Sequence, residues 1–121
     1  MTTTIVNPNS SNSAHRPLVA DYKLHWYQIK SVLGRGGFGI TYLADDLNLQ
    51  KQVAIKEFFP TEFAFREGGE TVLPASDDAK ATYDWGLARF ISEARTLSKF
   101  DHPNIVKVHA VFEENGTGYM V

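Results

Sequence analysis

Along residues 27–33 the side chains alternate. Tyr27, Ile29, Ser31 and Leu33 fall on one side and Gln28, Lys30 and Val32 on the other, which is the period of a β-strand. Ile40-Thr41-Tyr42-Leu43 is β-branched and aromatic and predicts a second strand. Asp45-Asp46-Leu47-Asn48 reads as a turn. Gln52 to Phe58 reads as a third strand, with Val53, Ile55 and Glu57 on one face and Ala54 and Lys56 on the other. The period then lengthens. Tyr83, Leu87, Phe90, Ala94 and Leu97 recur at spacings of four and three, the stripe of a helix from about 78 to 100. Ser76 or Asp77 is placed to cap its start, and His102-Pro103-Asn104 stops it. Residues 105–112 alternate as a fourth strand, 114–118 read as a hairpin turn, and Tyr119-Met120-Val121 opens a fifth. Between the third strand and the helix, residues 59–77 hold Pro60, Gly68, Gly69, Pro74 and Ser76 and predict a long connection, with room for a short extra strand at 70–73.

Residues 1–20 lack this patterning. They are rich in Thr, Ser, Asn and Pro, with only Ile5, Val6, Leu18 and Val19 as larger aliphatic groups, too little apolar surface to offset the entropy of ordering. A flexible leader over residues 1–23 and one domain over 24–121 are therefore expected, with residues 1–20 dispensable for stability. Composition narrows the function. With 43% hydrophobic and 21% charged residues the chain is globular in character. A net charge of −2 gives no reason to expect a nucleic acid or an anionic membrane as partner. The absence of cysteine excludes disulfides and thiolate metal sites and is compatible with a reducing compartment, so a cytoplasmic location is expected. The four histidines have no metal-ligand spacing, and no run approaches the length of a membrane span.

Chemistry concentrates between residues 31 and 57. Gly34, Gly36 and Gly39 form G-x-G-x-x-G between two predicted strands, and the next strand contains Val53-Ala54-Ile55-Lys56. Glycines let backbone N–H groups approach phosphates, and a lysine adds a point charge. The same glycine spacing occurs in dinucleotide-binding folds, where the third glycine opens a helix and an acid follows about 20 residues on. Glu57 lies near that distance, but the residues after Gly39 are strand formers. A Walker A loop is excluded, since no Gly-Lys-Ser/Thr follows. A glycine-rich turn with no ligand remains open, and Phe38 at its tip could cover phosphates or pack on the hairpin. On the third strand, Ala54 beside Lys56 suits a flat base over the small residue and phosphates near the cation. Glu93 lies on the margin of the helical stripe. It could reach a lysine on the sheet, or pair with Arg89 one turn earlier.

Together these pieces resemble the N-terminal lobe of a eukaryotic-like serine/threonine protein kinase. Leu33-Gly34-Arg35-Gly36-Gly37-Phe38-Gly39 is similar to the family's glycine-rich loop and Val53-Ala54-Ile55-Lys56 to its third-strand motif. Glu93 stands where the family's helix glutamate pairs with that lysine, and His102-Pro103-Asn104-Ile105-Val106 resembles the turn from helix to fourth strand. The Glu57-Phe58-Phe59-Pro60 continuation and the lengthened connection resemble bacterial members. The resemblance implies an α+β fold, a five-stranded antiparallel sheet with one major helix. It implies ATP as ligand, bound by residues 33–39, Thr41, Ala54 and Lys56, with Lys56 and Glu93 as the catalytic pair. Thr41 stands where the family usually has valine. The hinge, catalytic aspartate and magnesium ligands are expected in a C-terminal lobe beyond Val121. The implied reaction is transfer of the ATP γ-phosphoryl group to serine or threonine of a protein substrate. This chain alone is expected to be inactive, to bind ATP weakly and to associate. Two other readings carry over: a free-standing lobe that binds a partner and catalyses nothing, and a dinucleotide-binding oxidoreductase fragment.

Overall fold

The computed structural model describes residues 14–121. Its strands are β1 (Lys23–Leu24), β2 (Tyr27–Arg35), β3 (Gly39–Asp46), β4 (Lys51–Phe58), β5 (Ala64–Glu67), β6 (Thr71–Pro74), β7 (Val111–Glu114) and β8 (Thr117–Met120), with helix α1 (Lys80–Leu97) between β6 and β7. Six strands form one antiparallel sheet in the order β1-β2-β3-β4-β8-β7, and β5 and β6 pair as a separate hairpin. The expected architecture is present. The main sheet has one strand more than expected, the two-residue β1, and the connection after β4 folds into a hairpin.

Local chemistry explains the turns. After β3, the Asp46 carboxylate accepts N–H bonds from Asn48 and Leu49, both at 2.9 Å, an Asx-type turn. Between β7 and β8, Asn115 and Gly116 both have positive φ, 56° and 75°, the backbone of the tightest hairpin turn. The fourth strand begins later than its alternation predicts. Strand pairing on β7 starts at Val111, and before it only His109 and Ala110 exchange backbone bonds with Val121.

The register divides the sheet into two unlike faces. Ile40, Tyr42, Ala44, Ile55, Glu57 and Tyr119 share one face and are all buried. The β5–β6 hairpin covers it, contributing Ala64 and Val72 to the same core, together with Phe59 and Leu18. Leu18 belongs to the segment expected to be a flexible leader. Residues 1–13 of that leader lie outside the described residues, but 14–18 are seated on the domain. Leu18 is 3% exposed and donates its N–H to the Tyr42 hydroxyl at 3.0 Å, and the carbonyls of Ala14 and Arg16 accept bonds from Arg66 at 2.7 and 2.6 Å. These contacts lead to the opposite expectation for this stretch, that its removal costs stability. Its anchors are mostly main-chain carbonyls, which composition does not display.

Thr41, Ala54, Lys56 and Met120 share the other face. Helix α1 covers one end of it. Its Leu87, Phe90 and Ile91 lie where a Cβ on Gly118 of β8 would clash, and Gly86 lets the helix close onto the Phe58 ring. Tyr83 fixes the approach by donating its hydroxyl to the Gly116 carbonyl at 2.6 Å. Among the described residues, the rest of this face borders a cleft whose other wall includes Val106 to His109.

Candidate nucleotide site

The glycine-rich loop joins β2 to β3, and each glycine has its own reason. Gly39 is held so close to β4 that a Cβ there would lie 2.4 Å from the Glu57 carbonyl oxygen. The fold itself requires that glycine. Gly34, Gly36 and Gly37 have no positive φ, and a Cβ on any of them would meet nothing within 4 Å. The fold itself does not require glycine at these three positions. The loop tip is oriented by main-chain bonds. Gly36 N–H donates to the Gly39 carbonyl at 2.9 Å, while Phe59 and Thr61 donate to the carbonyls of Phe38 and Gly37 at 2.8 and 3.0 Å. The carbonyls are thereby drawn to one side. Among the described residues the N–H groups of Gly37 and Phe38 have no partner, which is the condition for receiving an anion. Phe38 itself is exposed.

Lys56 sits opposite Thr41 in the register and shares its face with Ala54. It borders two clefts. One, of about 430 Å³, is lined by Thr41, Ala54 and Lys56 together with Val108, Met120 and Val121. The other, of about 510 Å³, lies between the loop and α1 and brings Phe38, Lys56 and Glu93 together with Phe58, Trp85 and Phe90. A small, apolar wall leading to a lysine suits a flat base with a phosphate tail. Leu33, Gly34, Gly36, Gly37 and Gly39 line neither cleft, and Arg35 faces a third.

Glu93 faces the second cleft but makes its ion pair with Arg89, Nε to Oε2 at 3.0 Å, both side chains about three-fifths exposed. No ion pair within 4.0 Å joins it to Lys56 among the described residues. Arg89 in turn lies over the Trp85 ring, 5.5 Å from its centroid. Here the local helix pair is formed and the long-range one is not. Among the described residues no group of three or more acids or histidines could hold a metal ion, and no helix is long and apolar enough to cross a membrane.

Behind the site is a buried charge network that the sequence reading missed. Glu57, 0% exposed, receives Arg66 Nη2 at 2.6 Å and the hydroxyls of Tyr42 and Tyr119, each at 2.8 Å. Arg66 also stacks over Phe59, 4.8 Å from the ring centroid. Burial, and then the Glu57 charge, push both tyrosine hydroxyls well above their ordinary range. Burial alone would lower the Arg66 guanidinium, but the bond and charge of Glu57 outweigh it and hold it raised. Glu57 is therefore a structural acid, and Gly39 opens a strand rather than a helix. Both facts exclude the dinucleotide-binding reading. The available signal was the burial implied by Ile55 and Glu57 sharing a face, but nothing in the sequence pointed to Arg66 as the partner.

No family model matches the chain. Individual proteins do. It is 35% identical over 95 residues to serine/threonine-protein kinase PrkC of Bacillus subtilis, covering 78% of this chain and 12% of that protein. It is 34% identical over 99 residues to serine/threonine-protein kinase C of Synechocystis, covering 78% and 16%. A third match, to PknJ of Mycobacterium tuberculosis, is 35% identical over 83 residues and covers 69% and 11%. Among solved structures, PpkA-294 in its apo form superposes with a TM-score of 0.83 at 39% identity, over 86% of this chain and 37% of that one. The chain thus spans a small part of each curated relative and about a third of the solved one. Over most of its own length it is related by sequence to bacterial serine/threonine protein kinases, and it has the fold of their kinase domain's N-terminal lobe.

Proposed function

We propose that this lobe covers and positions ATP for transfer of the γ-phosphoryl group to a protein serine or threonine, acting with a C-terminal lobe. The observation that carries the reading is a loop whose Gly37 and Phe38 N–H groups have no partner among the described residues, with Phe38 on the same cleft as Lys56, which shares its face with Ala54. Thr41 and Ala54 wall the base, and Lys56 meets the phosphates at the junction of the two clefts. Open space beside Gly34, Gly36 and Gly37 supports this reading, since nothing lies within 4 Å of a Cβ there. Bound ATP, with Mg²⁺ held by the other lobe, supplies the transferable group. Phosphoryl transfer depends chiefly on positioning and charge neutralisation, and these residues supply part of both. Glu93 orients Lys56 only after leaving Arg89, so the observed pairing is a resting arrangement.

The test is label transfer from ATP to a protein substrate by the polypeptide joining this lobe to its C-terminal lobe, with Lys56→Met as the variant. Loss of transfer by a folded variant supports the reading, and activity near wild type removes Lys56 from the mechanism. The exposed Arg89–Glu93 pair also favours a second reading, a non-catalytic lobe that binds a partner. That reading predicts no transfer by wild type and variant alike.

A further inference from the structure

Residues 14–18 form a strap that ends beside the glycine-rich loop. Its backbone is fixed by Arg66, which bonds the Ala14 and Arg16 carbonyls, and by the Leu18 bond to Tyr42. His15 Nε2 lies 3.2 Å from the Ala64 carbonyl. The loop reaches back to the strap, since Arg35 Nη2 donates to the His15 carbonyl at 2.5 Å. Thr61, whose N–H holds the loop tip at Gly37, stands on the same side. A cleft of about 490 Å³ opens where they meet, lined by His15, Arg16, Pro17, Arg35, Thr61 and Glu62.

The charges in this cleft are unbalanced. Among the described residues neither Arg16 nor Arg35 has a carboxylate within 4.0 Å. Arg35 gives the protein one hydrogen bond, and a guanidinium has five N–H groups to give. Glu62 is the one acid on the wall, against two arginines and His15. Two guanidinium forks on one hollow match the oxygens of a tetrahedral anion, while the Thr61 hydroxyl is directed at the Gly37 carbonyl, at 3.5 Å.

We propose that this cleft binds a phosphate dianion, free or carried as a phosphomonoester, between Arg16 and Arg35. Arg35 lies at the base of the glycine-rich loop and Thr61 holds its tip, so an anion here acts on the element that faces the nucleotide from the opposite side. By linkage, anion and nucleotide then alter each other's affinity by the same factor. That coupling rests on the proposed nucleotide site; the anion site itself does not. A phosphomonoester has a source within the chain, because Thr2, Thr3, Thr4, Ser10, Ser11 and Ser13 precede the strap directly.

The experiment is a titration of the isotope-labelled 121-residue chain at constant ionic strength, first with inorganic phosphate and then with O-phosphoserine, read from backbone amide shifts. Saturable shifts at Arg16, Arg35, Thr61 and Glu62 are expected, weakened at least tenfold in Arg16→Gln. The Arg16 side chain is exposed and its carbonyl does the structural work, so this variant keeps its thermal midpoint. Thr61→Val should weaken binding less. Saturation by phosphate alone assigns the site to the free anion, and saturation by both to a phosphomonoester. Absence of saturable shifts in the cleft, or shifts that Arg16→Gln leaves unchanged, overturns the proposal. Shifts confined to Gly37, Phe38 and Lys56 also overturn it, and leave the nucleotide site standing.

Discussion

Arg66→Met cuts the buried network at the point where the β5–β6 hairpin meets the sheet. Arg66 and Glu57 are 1% and 0% exposed at the side chain, and Nη2 lies 2.6 Å from Oε1. Removing one partner of such a pair leaves an uncompensated charge and costs about 3–5 kcal/mol. Two effects adjust this value. The Tyr42 and Tyr119 hydroxyls still donate to Glu57 and soften the loss. The carbonyls of Arg16 and Glu70 lose their donors and add to it. The net expectation is about 3–4 kcal/mol, a fall in thermal midpoint of about 15 °C or more for a domain of this size. Adding Glu57→Gln removes the stranded charge, so the double variant should regain at least about 1 kcal/mol over Arg66→Met alone. Thermal and urea unfolding of the 121-residue chain, followed by circular dichroism, measure both. A cost for Arg66→Met below about 1 kcal/mol, or a further loss on adding Glu57→Gln, would refute the reasoning.

Three further outcomes follow from the same contacts. Tyr42 and Tyr119 are raised in the folded state, so above about pH 10 the folded chain binds more protons than the unfolded one. Stability should be complete below that pH and fall as pH rises past it, and Tyr42→Phe should flatten the fall; a urea midpoint that stays level or rises would contradict this. Deleting residues 1–13 should change stability by no more than about 0.5 kcal/mol, whereas deleting 1–18 removes Leu18 and two Arg66 acceptors and should cost about 2–4 kcal/mol; equal midpoints for the two deletions would show that the strap does not dock. Gly36→Ala should leave stability unchanged and weaken nucleotide binding, while Gly39→Ala, forced against the Glu57 carbonyl, should lower the melting temperature; the reverse order would remove the argument for a ligand at the loop.

Elements whose side chains alternate or recur were legible. The period-2 pattern placed Ala54 and Lys56 on one face and Ile55 and Glu57 on the other, and the register agrees. The stripe from Tyr83 to Leu97 marked the helix, which runs over Lys80–Leu97 rather than the expected 78–100. What failed had a main-chain or long-range cause. The strap docks through carbonyls and a single buried leucine. The stretch 105–108 alternates like a strand, but among the described residues the first backbone bonds on this side are those of His109 and Ala110 with Val121. Arg66 looked like one more polar residue in a connection, because its partner is nine positions away across a turn. At the site, spacing put Glu93 on the margin of the helical stripe, where it borders the cleft with Lys56, but left open which cation it takes.

The central claim is that the glycine-rich loop and Lys56 receive a nucleotide's phosphates. It is tested most directly by titrating Mg-ATP into the isotope-labelled 121-residue chain and its Lys56→Met variant, reading the amides of residues 36–39 and 54–56. A charge-assisted contact contributes about 1.5–3 kcal/mol, so affinity, weak in the wild type, should fall by about tenfold or more in the variant. The largest shifts should be at Gly37 and Phe38, whose N–H groups have no partner among the described residues. Shifts elsewhere only, or equal affinity of the two chains, would contradict the account.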